Sequence, residues 1–105
     1  MPIYFIQYEA RPNPDSDDFA KCGGGFVNCW LKSNTPHEAK EVATKTINEN
    51  NWHIVAVEED CREVSESSYS EEDEGLKHYE QATLDGECYV FHTWRNDPQE
   101  DNERH

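Results

Sequence analysis

Four cysteines and five histidines are the residues of this chain with the most chemistry open to them, as zinc ligands or as a thiolate–imidazole pair. Structural zinc sites use cysteine pairs separated by about two to four residues, whereas six residues separate Cys22 from Cys29, and Cys61 and Cys88 stand alone. A catalytic thiolate needs a cationic neighbour or a helix N-terminus, and the strands predicted around Cys29 and Cys88 offer neither. We therefore interpret the cysteines as free thiols and expect no metal, no cofactor and no catalytic residue.

Two other patterns resemble ligand-binding loops without completing them. The acidic run at 15–18 begins like a calcium loop, but an EF-hand needs Gly at its sixth position and Glu at its twelfth, where this chain has Ala20 and Phe26. The glycines at 23–25 precede a predicted strand, so they lack the N–H donors and the dipole that a helix N-terminus offers to phosphate. Neither pattern predicts a site.

Negative charge is the dominant property of the sequence. The chain of 105 residues has 23 acidic and 9 basic residues, a formal charge of −14. This charge repels nucleic-acid phosphates and anionic lipids, so we expect no nucleic-acid and no membrane partner, and we favour a basic protein. Residues 58–74, here called the acidic segment, hold nine carboxylates against Arg62 alone, a net charge of −8, whereas residues 22–57 sum to zero.

Aromatic and β-branched runs predict strands over residues 2–9, 26–32, 53–64 and 87–95. The intervening residues 10–25 are expected to form a loop because prolines, aspartates and glycines are concentrated there.

Two helices are predicted between these strands. Thr35 and Glu38 form a capping box around Pro36, and a stripe at helical spacing follows it: Ala39, Val42, Ala43, Thr46 and Ile47. Ser70, with Asp73 three residues later, is expected to cap a second helix that runs to about Asp85 and ends at Gly86. A start nearer Gly75 is the alternative, because glycine inside a helix is unfavourable.

The order β-β-α-β-α-β predicts an α+β fold, a two-layer sandwich of a four-stranded mixed sheet with both helices on one face. It resembles the ferredoxin-like architecture with the order of elements shifted, and the resemblance is one of architecture only. We expect residues 1–95 to form a single domain and residues 96–105 to form a polar, flexible C-terminal tail.

Large rings would then lie outside the helix layer, because every second strand residue points to the uncovered face. The candidates for that face are Phe26 and Trp30 from the second strand, with either Tyr89 and Phe91 or His92 and Trp94 from the fourth. A cleft or dimer surface on this face would use Trp30, Tyr89, His92 and Trp94. Three alternatives stay open: the rings fill a small core, they form a two-fold dimer surface, or they surround a cleft in which His92 acts as acid and base.

These features favour a small, non-enzymatic interaction module that binds a basic protein, as an inhibitor, an immunity-type protein or an adaptor does, and that forms a homodimer. Glu71, Glu72, Asp73 and Glu74 would make the contacts, with Tyr69 as an apolar anchor. The alternative is a small enzyme or ligand-binding domain that uses the aromatic sheet face around His92. We expect a cytoplasmic protein, because the first residues lack the basic and apolar regions of a signal peptide.

Overall fold

The computed structural model describes residues 1–95, apart from the side chain of Arg95, so the predicted tail at 96–105 lies outside the described residues. The elements in chain order are β1 (Ile3–Pro12), β2 (Cys22–Lys32), α1 (Pro36–Glu49), β3 (Trp52–Val64), a short 3-10 helix (Glu66–Ser68), α2 (Glu74–Asp85) and β4 (Glu87–Arg95). The predicted α+β class and the order β-β-α-β-α-β are confirmed. Neither α1 nor α2 is long and apolar enough to cross a membrane.

The four strands form an open sheet in the order β3-β1-β2-β4, and each of the three neighbouring pairs is antiparallel. The prediction of a mixed sheet was therefore wrong. β2 and β3, which α1 connects, do run in the same direction, but β1 lies between them and pairs antiparallel with both.

The two helices lie on opposite faces of the sheet, which corrects the prediction that both cover one face. The core on the first face, here called the α1 side, includes Tyr4, Ile6 and Tyr8 of β1 with Ala39, Ala43 and Ile47 of α1. The core on the second face, the α2 side, includes Ile3, Phe5, Trp30, Val64 and Ala82. Residues 65–73 leave the edge strand β3 after Val64 and lead to α2 on this second face, so the sheet lies between the helices.

The predicted caps at Thr35 and Gly86 are confirmed, whereas α2 is capped by Asp73 and not by Ser70. The Thr35 hydroxyl accepts a hydrogen bond from the Glu38 backbone N–H at 3.1 Å. Asn51 follows α1 with a φ of 66°, and Gly86 follows α2 with a φ of 91°, both in the left-handed region that ends helices. The predicted stripe of α1 is narrower than expected, because Val42 is 43% exposed whereas Ile47 is fully buried.

The glycines at 23–25 belong to β2 and not to the predicted loop. A Cβ atom added to Gly24 would lie 2.8 Å from Cζ2 of Trp94, and one added to Gly25 would lie 2.8 Å from the carbonyl oxygen of His92. Because glycine has no side chain, β4 can pack closely against the start of β2.

We predict that Ile47→Ala lowers the free energy of unfolding by about 2–5 kcal/mol, because it leaves a cavity under α1. Val42→Ala on the exposed side of the same helix should cost well under about 1 kcal/mol. Urea denaturation followed by circular dichroism measures both values. Equal losses for the two variants would contradict the placement of α1.

We also predict a loss of stability in alkali that depends on Cys29. Burial raises the pKa of the Cys29 thiol from 9.0 to about 12, so between these values the folded chain holds a proton that the unfolded chain has released. The free energy of unfolding should therefore fall as pH rises through this window, by at most about 1.4 kcal/mol per pH unit from this group. Denaturation from pH 8 to 11 should give a shallower slope for Cys29→Ala than for the parent and for the control Cys22→Ala.

Candidate functional site

A cleft of about 270 Å³ opens on the α2 side, between the sheet and the start of α2. Its floor is apolar and includes Phe5, Trp30 and Val90, which come from three adjacent strands. Tyr69 and residues 73–75 line it from the chain that enters α2. We call this feature the acidic cleft, because three of the residues that line it are carboxylates.

Tyr69 attaches the acidic segment to this floor through a hydrogen bond and ring packing. The indole N–H of Trp30 donates a hydrogen bond to the Tyr69 hydroxyl at 2.8 Å, and the two rings of Tyr69 and Tyr79 lie 6.0 Å apart. Burial raises the pKa of the Tyr69 phenol, while the bond from Trp30 acts in the opposite direction. The half-buried ring therefore packs inward, against the α2-side core, and is not an anchor that projects from the surface.

The charged side chains of the acidic cleft are Glu59, Arg62, Asp73 and Glu74. With the histidines neutral, they give the cleft a net charge of −2. The N-terminus of α2 offsets about half a charge of this, since Asp73 is the N-cap and its carboxylate accepts a hydrogen bond from the Gly75 N–H at 2.9 Å. The remaining negative potential favours a cation over an anion.

Arg62 occupies part of the acidic cleft. Its guanidinium carbon lies 5.3 Å from the centre of the Phe5 ring, and its Nη2 atom lies 3.5 Å from Oε1 of Glu59. Phe5 and Arg62 are cross-strand neighbours on β1 and β3. The cleft thus holds one cation of its own against an aromatic ring and a carboxylate.

Most carboxylates of the acidic segment have no cationic partner within residues 1–95. The ion pairs found there are Glu59 with Arg62 and Asp60 with Lys40, the latter at 2.8 Å. The hydrogen bond from Lys40, and a second from the Cys61 backbone N–H, lower the pKa of Asp60. All nine carboxylate residues are exposed, so the segment presents its charge to solvent.

Two histidines line the acidic cleft, His78 and His92, and Cys88 lies beside the first of them. His78 stacks on Trp30 with ring centres 5.0 Å apart, and its Nδ1 atom lies 3.7 Å from Sγ of Cys88. Burial raises the pKa of Cys88, which favours the thiol over the reactive thiolate. Within residues 1–95, no group of three or more potential ligands is placed to hold a metal ion.

The structure brings together part of each set of residues singled out in the sequence. The acidic cleft is lined by Tyr69, Asp73 and Glu74 of the acidic segment and by Trp30 and His92 of the sheet. Glu71 and Glu72 are exposed nearby, and Glu71 lines a separate concavity with Glu66 and Leu76.

Of the two alternatives for the fourth strand, His92 and Trp94 lie on the α2 side with Trp30, whereas Tyr89 does not. Tyr89 is paired with Cys29 and lies on the α1 side, where its hydroxyl donates a hydrogen bond to Thr46 at 3.1 Å. Trp94 shares the α2 side with Trp30, but it packs edge-on against Phe26, with ring centres 5.3 Å apart, and does not line the acidic cleft. Trp30 itself is only 4% exposed, so it forms a floor and not a surface patch.

Sequence reasoning missed several residues that line the acidic cleft: Phe5, Asn28, Glu59, Arg62 and His78. Only Arg62 carried a usable signal, as the sole cation among nine carboxylates. The others depend on the register of β1 with its neighbours and on the face that α2 covers.

A larger concavity, of about 740 Å³, runs along the outside of α1, between His37 and Glu49. Every residue that lines it belongs to this one helix, so no second element encloses it. It is a furrow in the helix surface, and we do not regard it as a site.

Comparisons of this chain with protein-family models, with curated proteins and with solved structures found no match.

We predict that Tyr69→Phe lowers the free energy of unfolding by about 1–3 kcal/mol, because it leaves the buried indole N–H of Trp30 without an acceptor. Tyr79→Phe is the matched control, since within residues 1–95 no hydrogen bond involves its hydroxyl. Chemical denaturation followed by tryptophan fluorescence measures both variants. A larger loss of unfolding free energy for the Tyr79 variant would contradict the role of Tyr69 in attaching the acidic segment to the α2-side core.

Proposed function

We propose that this protein is a non-enzymatic interaction module that binds a basic protein through the acidic segment and the acidic cleft. The observation that carries the proposal is an exposed, mostly unpaired set of carboxylates beside a cleft with an aromatic floor. Charge of one sign concentrated on one surface steers a partner of opposite charge and raises the association rate. An inhibitor, an immunity-type protein or an adaptor would use such a surface.

The size of the acidic cleft also favours a protein partner. Its volume of about 270 Å³ is below the range of about 300–1,000 Å³ that is typical of pockets for drug-sized ligands. A single long side chain from a partner would fill it, while the carboxylates around it would contact the neighbouring basic residues. Glu71, Glu72, Asp73 and Glu74 would make those contacts, and Tyr69 would support them from inside.

Two further parts of the proposal concern assembly and location. A homodimer remains our expectation, with exposed rings on the α2 side as its surface; Trp94 is 39% exposed and packs on Phe26. A cytoplasmic location agrees with the free thiols at Cys22, Cys29, Cys61 and Cys88, since reducing compartments keep cysteines in this form.

We predict that the triple variant Glu71→Gln/Glu72→Gln/Glu74→Gln binds a labelled hexa-lysine peptide about tenfold more weakly than the parent, because three exposed charge pairs are lost. Fluorescence anisotropy at about 50 and 300 mM salt measures the affinity, and the difference should shrink at the higher salt. Asp73 is left unchanged because its carboxylate caps α2.

The control is Asp15→Asn/Asp17→Asn/Glu49→Gln, which removes the same charge from exposed positions outside the acidic segment. It should weaken binding by no more than about twofold, through the long-range field alone. Equal weakening by the two triple variants would show that only the net charge of the chain matters. No measurable binding to the parent at low salt would remove the proposal.

The second candidate is a small enzyme or ligand-binding domain, and it is favoured by the presence of both His78 and His92 among the residues that line the acidic cleft. This candidate needs only the residues that line the cleft, whereas the first also needs the carboxylates outside it. The double variant Glu71→Gln/Glu72→Gln separates the two, because neither side chain lines the cleft. If the cleft alone is the site, the double variant should bind a small organic cation as tightly as the parent does. If the acidic segment binds a basic protein, the double variant should bind a basic peptide more weakly than the parent does.

A further inference from the structure

We propose that the acidic cleft selects an arginine of the partner over a lysine, and that Arg62 is a built-in competitor that the incoming arginine displaces. This inference rests on the proposed function and names the chemistry that the same site recognises. The guanidinium of Arg62 already lies over Phe5 and beside Glu59. Because the cleft already accommodates a guanidinium of its own chain, we expect it to accommodate a guanidinium from a partner.

The walls of the acidic cleft fit a guanidinium better than an ammonium ion. A guanidinium is planar and weakly hydrated, and it can stack on an aromatic face while it donates several hydrogen bonds in one plane. The cleft offers aromatic rings on its floor and the carboxylates of Glu59, Asp73 and Glu74 around it. A lysine would gain the charge interaction but not the stacking and the paired hydrogen bonds.

Arg62 is held weakly enough to be displaced. Its Nη2–Oε1 distance to Glu59 is 3.5 Å, and the side chains of Arg62 and Glu59 are 57% and 49% exposed. Exposed pairs of this kind contribute little to stability, because solvent screens them and both side chains lose freedom. A partner arginine that also contacts Asp73 or Glu74 would gain more than Arg62 loses by moving into solvent.

The test compares labelled hexa-arginine and hexa-lysine peptides, which carry equal charge, on the full chain. Arg62→Gln should raise the affinity for hexa-arginine about three- to tenfold and should raise it less for hexa-lysine. Arg11→Gln removes the same charge from an exposed position on β1 and controls for the overall field. Arg62→Lys keeps the charge but removes the guanidinium, so it should also raise the affinity for hexa-arginine.

The outcomes separate this inference from the function on which it rests. If Arg62→Gln and Arg11→Gln act equally, or if Arg62→Gln weakens binding, Arg62 is not a competitor and the inference is wrong. The proposed function survives in that case, provided that both peptides still bind the parent in a manner that depends on Glu71, Glu72 and Glu74. If neither peptide binds any of these variants at low salt, both proposals fail. Circular dichroism and thermal unfolding of each variant establish that it is folded.

Discussion

Burial of β1 on both of its faces is the constraint on which the rest of the structure depends. The even-numbered residues from Tyr4 to Ala10 enter the core under α1, and Ile3 and Phe5 enter the core under α2. The strand also provides the backbone partners for both β2 and β3. Because side chains alternate along a strand, β1 joins the two small cores. β2 joins them as well, through Val27 and Cys29 on the α1 side and Trp30 on the α2 side.

The position of the acidic segment follows from this arrangement. β3 is an edge strand, and its register with β1 shifts three times, between Phe5 and Gln7, between Gln7 and Tyr8, and between Glu9 and Ala10. Carboxylates and irregular pairing both discourage an edge strand from pairing with another chain. The chain beyond β3 is attached to the α2-side core through Tyr69 and Trp30. A strongly charged stretch is thereby held against an apolar floor, which combines electrostatic attraction with a defined shape.

Local signals predicted the elements well but not their arrangement. The capping residues Thr35 and Gly86 and the aromatic runs define their elements through interactions within a few residues. The face that α2 covers depends on the path of residues 65–73, which carry no periodic pattern. The separation of Tyr89 from His92 follows from the sequence, because residues three apart on a strand point to opposite faces. The lining of the acidic cleft by Phe5, Glu59 and His78 could not be predicted from the sequence, because it depends on the registers of distant segments.

By itself, the sequence determined the element types, the helix caps, the excess of negative charge and its concentration in residues 58–74, because these follow from composition and short-range spacing. Only the tertiary structure decided that the sheet is antiparallel throughout residues 1–95, that the helices lie on opposite faces, and that Arg62, Asp73 and Trp30 meet at one cleft. These outcomes depend on contacts between residues far apart in the chain. Such contacts form because two apolar faces of one sheet must each be covered, and no local pattern states which helix covers which face.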